Sequence, residues 1–276
     1  MRLPIYQVDA FTSDVFAGNP AAVCPLEQWL DERLMLAIAA ENNLSETAFF
    51  VPAPGGDPER RVAADGQDRD YDIRWFTPVA EVDLCGHATL ASAHLLFEDG
   101  HVSKAGTINF RTRSGKLTAS YDKGWIYLDF PATPYTRVDL PQLLKSVRGK
   151  ERMSGVSAER WILAEFETEQ EVKSYQPDFA AIAALPGGHL LITARSTMPG
   201  VDFVSRCFAP GAGINEDPVT GSAHTALGPY WMGKLGKSEF LAYQASARGG
   251  YIRVRVAGDR VILGGQAVTV MRGEMA

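Results

Sequence analysis

Two stretches of this chain carry residue types that can move a proton. Glu216-Asp-Pro-Val-Thr-Gly-Ser-Ala-His-Thr225 sets two carboxylates ahead of a Gly-Ser step. Glu81-Val-Asp-Leu-Cys-Gly-His-Ala-Thr-Leu90 sets a thiol and an imidazole on either side of a glycine. Both follow one frame: Glu, three residues, Cys or Thr, Gly, His or Ser, Ala. A Phe-x-Pro precedes each, Phe76 to Pro78 and Phe208 to Pro210. Gly86 and Gly221 are 221 − 86 = 135 residues apart, about half of the 276-residue chain. The pattern reads as an ancient duplication, each half presenting the start of a helix. Small residues suit such a start. Gly221 lets a ligand approach the backbone, Ser222 can cap, and Ala223, Ala226 and Leu227 carry the helix onward. The unpaired N–H groups of a helix start bind anions. Gly86 and Gly221 are therefore expected to hold one anion together, in a cleft between the halves.

A third acid stands apart. Glu46 sits where a helix turns into the apolar strand Ala48-Phe49-Phe50-Val51. A carboxylate buried there is costly unless paired or protonated, and that cost is what tunes a base. The plainer reading is that Glu46 points outward on an alternating strand. His87 has a plainer reading too, as a helix-terminus histidine bonded to the backbone. Glu216 and Asp217 can be ordinary acids placed to favour a helix dipole. His94, His101 and His189 read as structural or surface residues, and His224 stays open.

These groups need elements to position them. Residues 3–9 alternate like a strand, and 11–23 begin as a turn-rich loop around Gly18, Asn19 and Pro20. Leu30, Leu34 and Ile38 recur at helical spacing, so a helix spans about 30–41 and ends at Asn42-Asn43. Residues 45–51 enter a strand closed by Pro52. A polar surface loop covers 55–70, a strand 72–76, and a helix about 87–98. Three strands lie between Thr107 and Phe130. Residues 139–149 carry a cap, an early Pro and a terminal Gly, the marks of a helix. Strands at 160–166, 189–193 and 201–208, a short helix at 178–185, and a helix from the second Gly loop to Met232 follow. Four strands between Leu241 and Met271 close the chain. Helices interrupt strands without strict βαβ alternation, which favours mixed, mainly antiparallel sheets.

Bulk properties exclude several functions. The net charge is −6 with no Lys/Arg run, so a nucleic-acid surface is not expected. Cys24, Cys85 and Cys207 lie far apart and form no CxxC pair, which fits a reducing cytoplasm rather than a disulfide framework. The first residues lack a signal peptide's apolar core, and no apolar run reaches membrane-spanning length. There is no HxxxH pair, GxSxG, P-loop or strand-borne GxGxxG, so neither metal nor organic cofactor is expected.

Ser45-Glu46-Thr47-Ala48-Phe49, Cys85-Gly86-His87-Ala88-Thr89 and Glu216-Asp217-Pro218-Val219-Thr220-Gly221-Ser222-Ala223 closely resemble the phenazine biosynthesis PhzF-like family. So do Asp9-Ala-Phe-Thr with Phe16-Ala-Gly-Asn-Pro20, and Gln244-Ala-Ser-Ala-Arg248-Gly-Gly. The resemblance covers nearly the whole chain. It implies a diaminopimelate epimerase-like α/β (α+β) fold: two similar domains, each a curled, mainly antiparallel sheet around a central helix. The first lobe would hold residues 1–115 plus 265–276 and the second 116–264. It further implies that Glu46 is the general acid/base, with His87 and Asp217 orienting substrate or relaying protons. Gly86, Gly221, Ser222 and Asn19 would bind a small carboxylate, and the protein would be a homodimer working without cofactor. The implied activity is a dihydro-hydroxyanthranilate-type isomerisation. Relatives in fold that racemise substrates place a cysteine before each glycine. Here the second position is Thr220, a poor base, which disfavours a Cys85-dependent epimerase or racemase. A non-catalytic carboxylate-binding protein on the same scaffold is the other reading.

Overall fold

Alternating apolar residues make Leu3–Ala10 the first strand, β1, as its sequence predicts. The computed structural model describes residues 2–54, 68–138, 155–158 and 161–276. The expected helix over 139–149 and nearly all of the expected loop over 55–70 lie outside these residues.

The chain divides into two units, Met1–Asp129 with Gly264–Ala276, and Phe130–Leu263. The first holds β1, β2 (Asn19–Pro25), α1 (Glu32–Asn42), β3 (Glu46–Pro52), β4 (Arg69–Phe76), β5 (Glu81–Val82), α2 (Gly86–Glu98), β6 (Ile108–Thr112) and β7 (Gly115–Asp122). β8 (Trp125–Pro131) leaves it. The second holds β9 (Thr136–Val138), β10 (Gly155–Ala158), β11 (Trp161–Glu165), α3 (Glu169–Ser174), α4 (Phe179–Ala183), β12 (His189–Arg195), β13 (Phe203–Ala209), β14 (Ile214–Asp217), α5 (Gly221–Leu235), β15 (Glu239–Gln244) and β16 (Gly250–Ala257). β17 (Arg260–Gly265) carries the chain back, and β18 (Ala267–Met275) pairs antiparallel with β1. The first boundary falls at 129/130 rather than 115/116. β7 pairs with β6 on one side and β8 on the other, which keeps that hairpin with the first sheet.

The two units repeat one pairing scheme. In the first, β1 and β2 pair antiparallel, β2 and β3 parallel, and β3 and β4 antiparallel. The short β5 hooks onto β4, α2 follows, and β6 returns parallel to β4 before meeting β7 antiparallel. In the second, β10, β11, β12, β13, β14, α5, β15 and β16 run through the same sequence of senses. The duplicated Gly loops are thus the visible part of a duplicated topology.

Each unit packs its sheet on a helix that is buried on most sides. Eleven of the 13 residues of α2 are buried, and nine of the 15 in α5. A helix apolar all round belongs in a core. Its buried hydroxyls are satisfied locally: Thr89 Oγ1 donates to the Cys85 carbonyl at 2.6 Å, and Ser92 Oγ to that of Ala88 at 2.8 Å. A Cβ at Gly265 would lie 2.5 Å from Leu90 Cδ1, so only glycine lets this strand meet the helix. Pro229 sits inside α5 and cannot donate to Thr225 four residues back. The freed Thr225 carbonyl accepts from the Thr133 N–H at 3.1 Å instead. On the other face of the first sheet, Ala22, Cys24, Phe49 and Val51 pack with Met35 and Ile38 of α1.

The elements that the sequence reading missed include β2 and α3. Asn19–Pro25 is a strand where a loop was expected, because Pro20 and Gly18 mask its apolar run. Gly18 itself takes φ +63, with a Cβ position 2.2 Å from the Ala10 carbonyl oxygen, so no other residue fits there. α3 was also missed, although Thr168 and Glu171 form a capping box at its start.

A matched pair of arginine clamps shapes both Gly loops. Arg74 on β4 forks Glu81 of β5 with Nε–Oε1 2.7 Å and Nη2–Oε2 2.6 Å. Arg206 on β13 forks Glu216 of β14 at 2.8 and 2.9 Å. Each guanidinium also lies over the phenylalanine two residues on, Phe76 or Phe208. The leading Glu of each motif is therefore a bidentate anchor, not a helix-dipole acid. Arg206 also donates to the Tyr175 carbonyl at 2.7 Å. The side chains of Arg206 and Glu216 are 11% and 21% exposed, so breaking the pair costs less than the ~3–5 kcal/mol of a fully buried one. Arg206→Met is expected to lose about 2 kcal/mol of stability. Denaturant unfolding measures it, and an unchanged midpoint would show the clamp contributes nothing.

No helix among the described residues is long and apolar enough to cross a membrane.

Candidate active site

Glu46 opens β3, and its strand partner in register is Ala21 of β2. Side chains alternate along a strand, so Glu46 shares a face with Ala21 and, two residues back, with Asn19. That is the face opposite the α1 core, the side toward α2. Asn19 is fully buried and lies opposite Ala10 of β1. Asp9 fixes the loop before it by accepting from the Phe16 N–H at 2.7 Å.

α2 begins at Gly86 with Cys85 in the N-cap position, extended and without a side-chain capping bond. This start brings His87 to Glu46, 41 residues away in sequence (87 − 46 = 41). His87 Nε2 lies 3.4 Å from Glu46 Oε2, and His87 Nδ1 lies 3.5 Å from Cys85 Sγ. Glu46 is 14% exposed along its side chain and His87 5%. The outward-pointing reading of Glu46 is thus wrong. Burial pushes the His87 imidazole down to about 3, so the ring is neutral at ordinary pH. His87 Nε2 is buried and has no hydrogen-bond partner.

The second loop is held by a different device. Thr220, not Ser222, occupies the N-cap of α5, because the helix starts at Gly221 and places Ser222 inside its first turn. Thr220 makes no capping bond. Its Oγ1 donates to Asp217 Oδ2 at 2.5 Å. Gln244, fully buried at the end of β15, spans the loop. Its Oε1 accepts from Thr220 N–H at 2.9 Å, and its Nε2 donates to the Asp217 carbonyl at 2.7 Å. Ser246 Oγ donates to the Pro218 carbonyl at 2.8 Å. The Gln-Ala-Ser stretch near the chain end therefore ties down the Asp217 loop, a role its sequence did not disclose.

His224 is structural. Its Nδ1 lies 2.8 Å from the Thr220 carbonyl, and its ring stacks on Phe203. A carbonyl only accepts, so Nδ1 carries the proton. Burial lowers its pKa to about 4, partly offset by that hydrogen bond.

Register relates the two halves residue by residue. Thr47 lies opposite Phe76, and Leu190 opposite Phe208. Glu46 therefore corresponds to His189, His87 to Ser222, Cys85 to Thr220, and Asp217 to Val82. The acid, the imidazole and the thiol belong to the first copy alone. His189 packs against Trp161 at 5.0 Å, a structural contact in line with the sequence reading.

Two alike units, each a mixed and mainly antiparallel sheet on a buried helix, with an acid and an imidazole at one helix start, define a diaminopimelate epimerase-like fold. The chain belongs to the phenazine biosynthesis-like protein family, whose model matches residues 8–273. It is 49% identical to an uncharacterized isomerase of Halalkalibacterium halodurans, over 100% of this chain and 99% of that one. An uncharacterized isomerase of Pseudomonas aeruginosa is 43% identical over the same shares. The crystal structure of a PhzF-family phenazine biosynthesis protein from Enterococcus faecalis superposes with a TM-score of 0.89 at 42% identity, covering 100% of both chains.

Proposed function

We propose that this isomerase shifts a proton on a small carboxylic acid, with Glu46 as general acid/base and no cofactor. The observation that carries the reading is the Glu46–His87 contact at 3.4 Å, made by elements distant in sequence and largely shielded from water. A carboxylate in such surroundings can take a proton from carbon and return it elsewhere on the same molecule. Neutral His87 orients the substrate or relays the proton through Nε2, the atom that meets Glu46. Gly86 and Gly221 supply helix-start N–H groups for the substrate carboxylate, and Ser222 and Asn19 supply polar side chains. Asp217, fixed by Thr220 and Gln244, orients the substrate or relays a proton. The test is deuterium incorporation from D₂O into the small-acid pool of a cell extract, followed by mass spectrometry. An acid that gains one deuterium only with the protein present identifies the substrate. Tight binding of an acid without exchange would favour the non-catalytic binding protein instead.

Cys85 is not the base in this reading. Its counterpart is Thr220, so the two-thiol arrangement of a racemase is missing. Cys85→Ser is expected to keep most of the exchange rate. A loss as deep as that of a Glu46 substitution would reverse the assignment.

A further inference from the structure

The sequence contains no metal motif, yet the fold gathers one. Glu46, Cys85 and His87 each offer a ligand atom, and the three atoms lie within 4.8 Å of one another. A tetrahedral zinc site with bonds of about 2.0–2.3 Å spaces its ligand atoms roughly 3.3–3.7 Å apart. One ion takes one ring nitrogen, and with Nε2 as that atom the Glu46 oxygen already stands in range, at 3.4 Å. Cys85 Sγ, which lies 3.5 Å from Nδ1, is within 4.8 Å of the other two ligand atoms and closes the remainder by rotation about its Cα–Cβ bond. A second observation points to a ligand: His87 Nε2 is buried, faces Glu46, and has no hydrogen-bond partner. An imidazole binds a metal through the lone pair of one ring nitrogen. One sulfur, one nitrogen and one oxygen suit a borderline-soft ion, and three protein ligands leave a fourth position open.

We propose that Glu46, Cys85 and His87 form a binding site for a thiophilic divalent cation of the Zn²⁺ class, and that its occupation inhibits the enzyme. Binding releases the Cys85 thiol proton to solvent and places the thiolate on the metal. The Glu46 carboxylate becomes a ligand and can no longer accept a proton from carbon. The inhibitory half rests on Glu46 being the base, as proposed above. Cys85 then has a function without being catalytic: it makes the active site sensitive to soft metals.

The experiment titrates Co²⁺ into the full chain, prepared in chelator-treated buffer, and records the absorption spectrum. The expected result is a sulfur-to-cobalt charge-transfer band, with the intense visible bands of four-coordinate cobalt, saturating at one ion per chain and erased by added Zn²⁺. Cys85→Ser and Cys85→Ala are both expected to lose the charge-transfer band. Circular dichroism identifies which variant keeps its fold, and the two together guard against one that does not. The buried thiols of Cys24 and Cys207 are unchanged in both, so a band that survives in a folded Cys85 variant overturns the site. So does the absence of a band in the parent chain. Deuterium exchange in the cell-extract acid pool is expected to stop at saturating Zn²⁺ and recover with EDTA. A Cys85-dependent band with exchange undiminished would overturn the inhibitory half, and with it Glu46 as the base, while the metal site stands. No exchange in the metal-free chain counts against the isomerase reading alone, since the spectrum tests the site independently.

Discussion

Glu46→Gln is expected to slow solvent deuterium exchange by about 10²–10⁴-fold, the usual worth of a positioned acid or base, while the chain stays folded. Glutamine keeps the size of the side chain and its hydrogen-bonding capacity but cannot take up a proton. The surroundings give little reason for a folding defect. Glu46 begins a strand whose next five residues are buried, and the substitution leaves those residues unchanged. Its near neighbour His87 is neutral, so the substitution removes no ion pair at ordinary pH. Substrate affinity is expected to hold, because the helix-start N–H groups proposed to bind the carboxylate are untouched. A fall in exchange with unchanged binding is the signature of a group that acts in the transition state. Exchange at the parent rate in Glu46→Gln would remove Glu46 from the chemistry. His87→Asn is the companion measurement: a similar loss would mark His87 as a relay, a rise in KM alone as an orienting group.

How much of this was legible in the sequence depended on the range of the interaction. The starts of α2 and α5 and the repeat between them were read from local composition, since Gly, Ala, Ser and His at fixed offsets are local signals. The end of α1 was read too, because Asn43 takes the left-handed conformation that closes a helix. The arginine clamps were not. Arg74 reaches Glu81 across seven residues and Arg206 reaches Glu216 across ten, and only the turn from β4 to β5, or β13 to β14, brings them together. The shared Glu of the two motifs was visible, and its partner was not. Gln244 is 24 residues from Thr220, so its hold on the Asp217 loop needed the parallel pairing of β13 with β15. The cap of α5 was misplaced by two residues because Ser222 is the better capping type in isolation. In the fold Thr220 takes the position and spends its hydroxyl on Asp217. The cluster of Glu46, Cys85 and His87 escaped a search for metal motifs because such searches look for ligand spacing along the chain. A strand end and a helix start achieve the same geometry through space.

Acidification from neutral pH to about pH 5 is expected to destabilise the protein by roughly 2 kcal/mol for each of its two fully sequestered histidines. His87 and His224 are held near 3 and 4 in the folded chain, against 6.5 when exposed. Burial is the leading cause in both, because a low-dielectric core disfavours the imidazolium. The sign follows from proton counts. Between the folded and unfolded values the unfolded chain binds protons that the folded chain refuses, so stability falls as pH falls. The stability associated with these rings is complete above 6.5 and lost downward. At pH 5 the loss per ring is about (6.5 − 5) × 1.36, or ~2 kcal/mol, since a unit of pKa is worth 1.36 kcal/mol. The carboxylates lowered from 4.5, Glu98 and Glu169, contribute stability that is retained above about pH 4.5 and lost below it. The window from 6.5 down to 4.5 therefore isolates the histidines, with a smaller share from His94, which burial also lowers. His224→Asn tests one ring by itself. The Asn amide can still donate to the Thr220 carbonyl, and it does not titrate. It should lower stability at pH 7, where a well-packed ring is lost, yet flatten the slope between pH 7 and 5 by about 2 kcal/mol relative to the parent. His87→Asn should flatten it by a similar amount, and the double variant should remove most of the dependence. Denaturant unfolding at stepped pH gives the numbers directly. If His224→Asn and the parent lose stability in parallel over this window, His224 is protonated inside the fold, and its hydrogen bond and stacked ring must tolerate a buried cation.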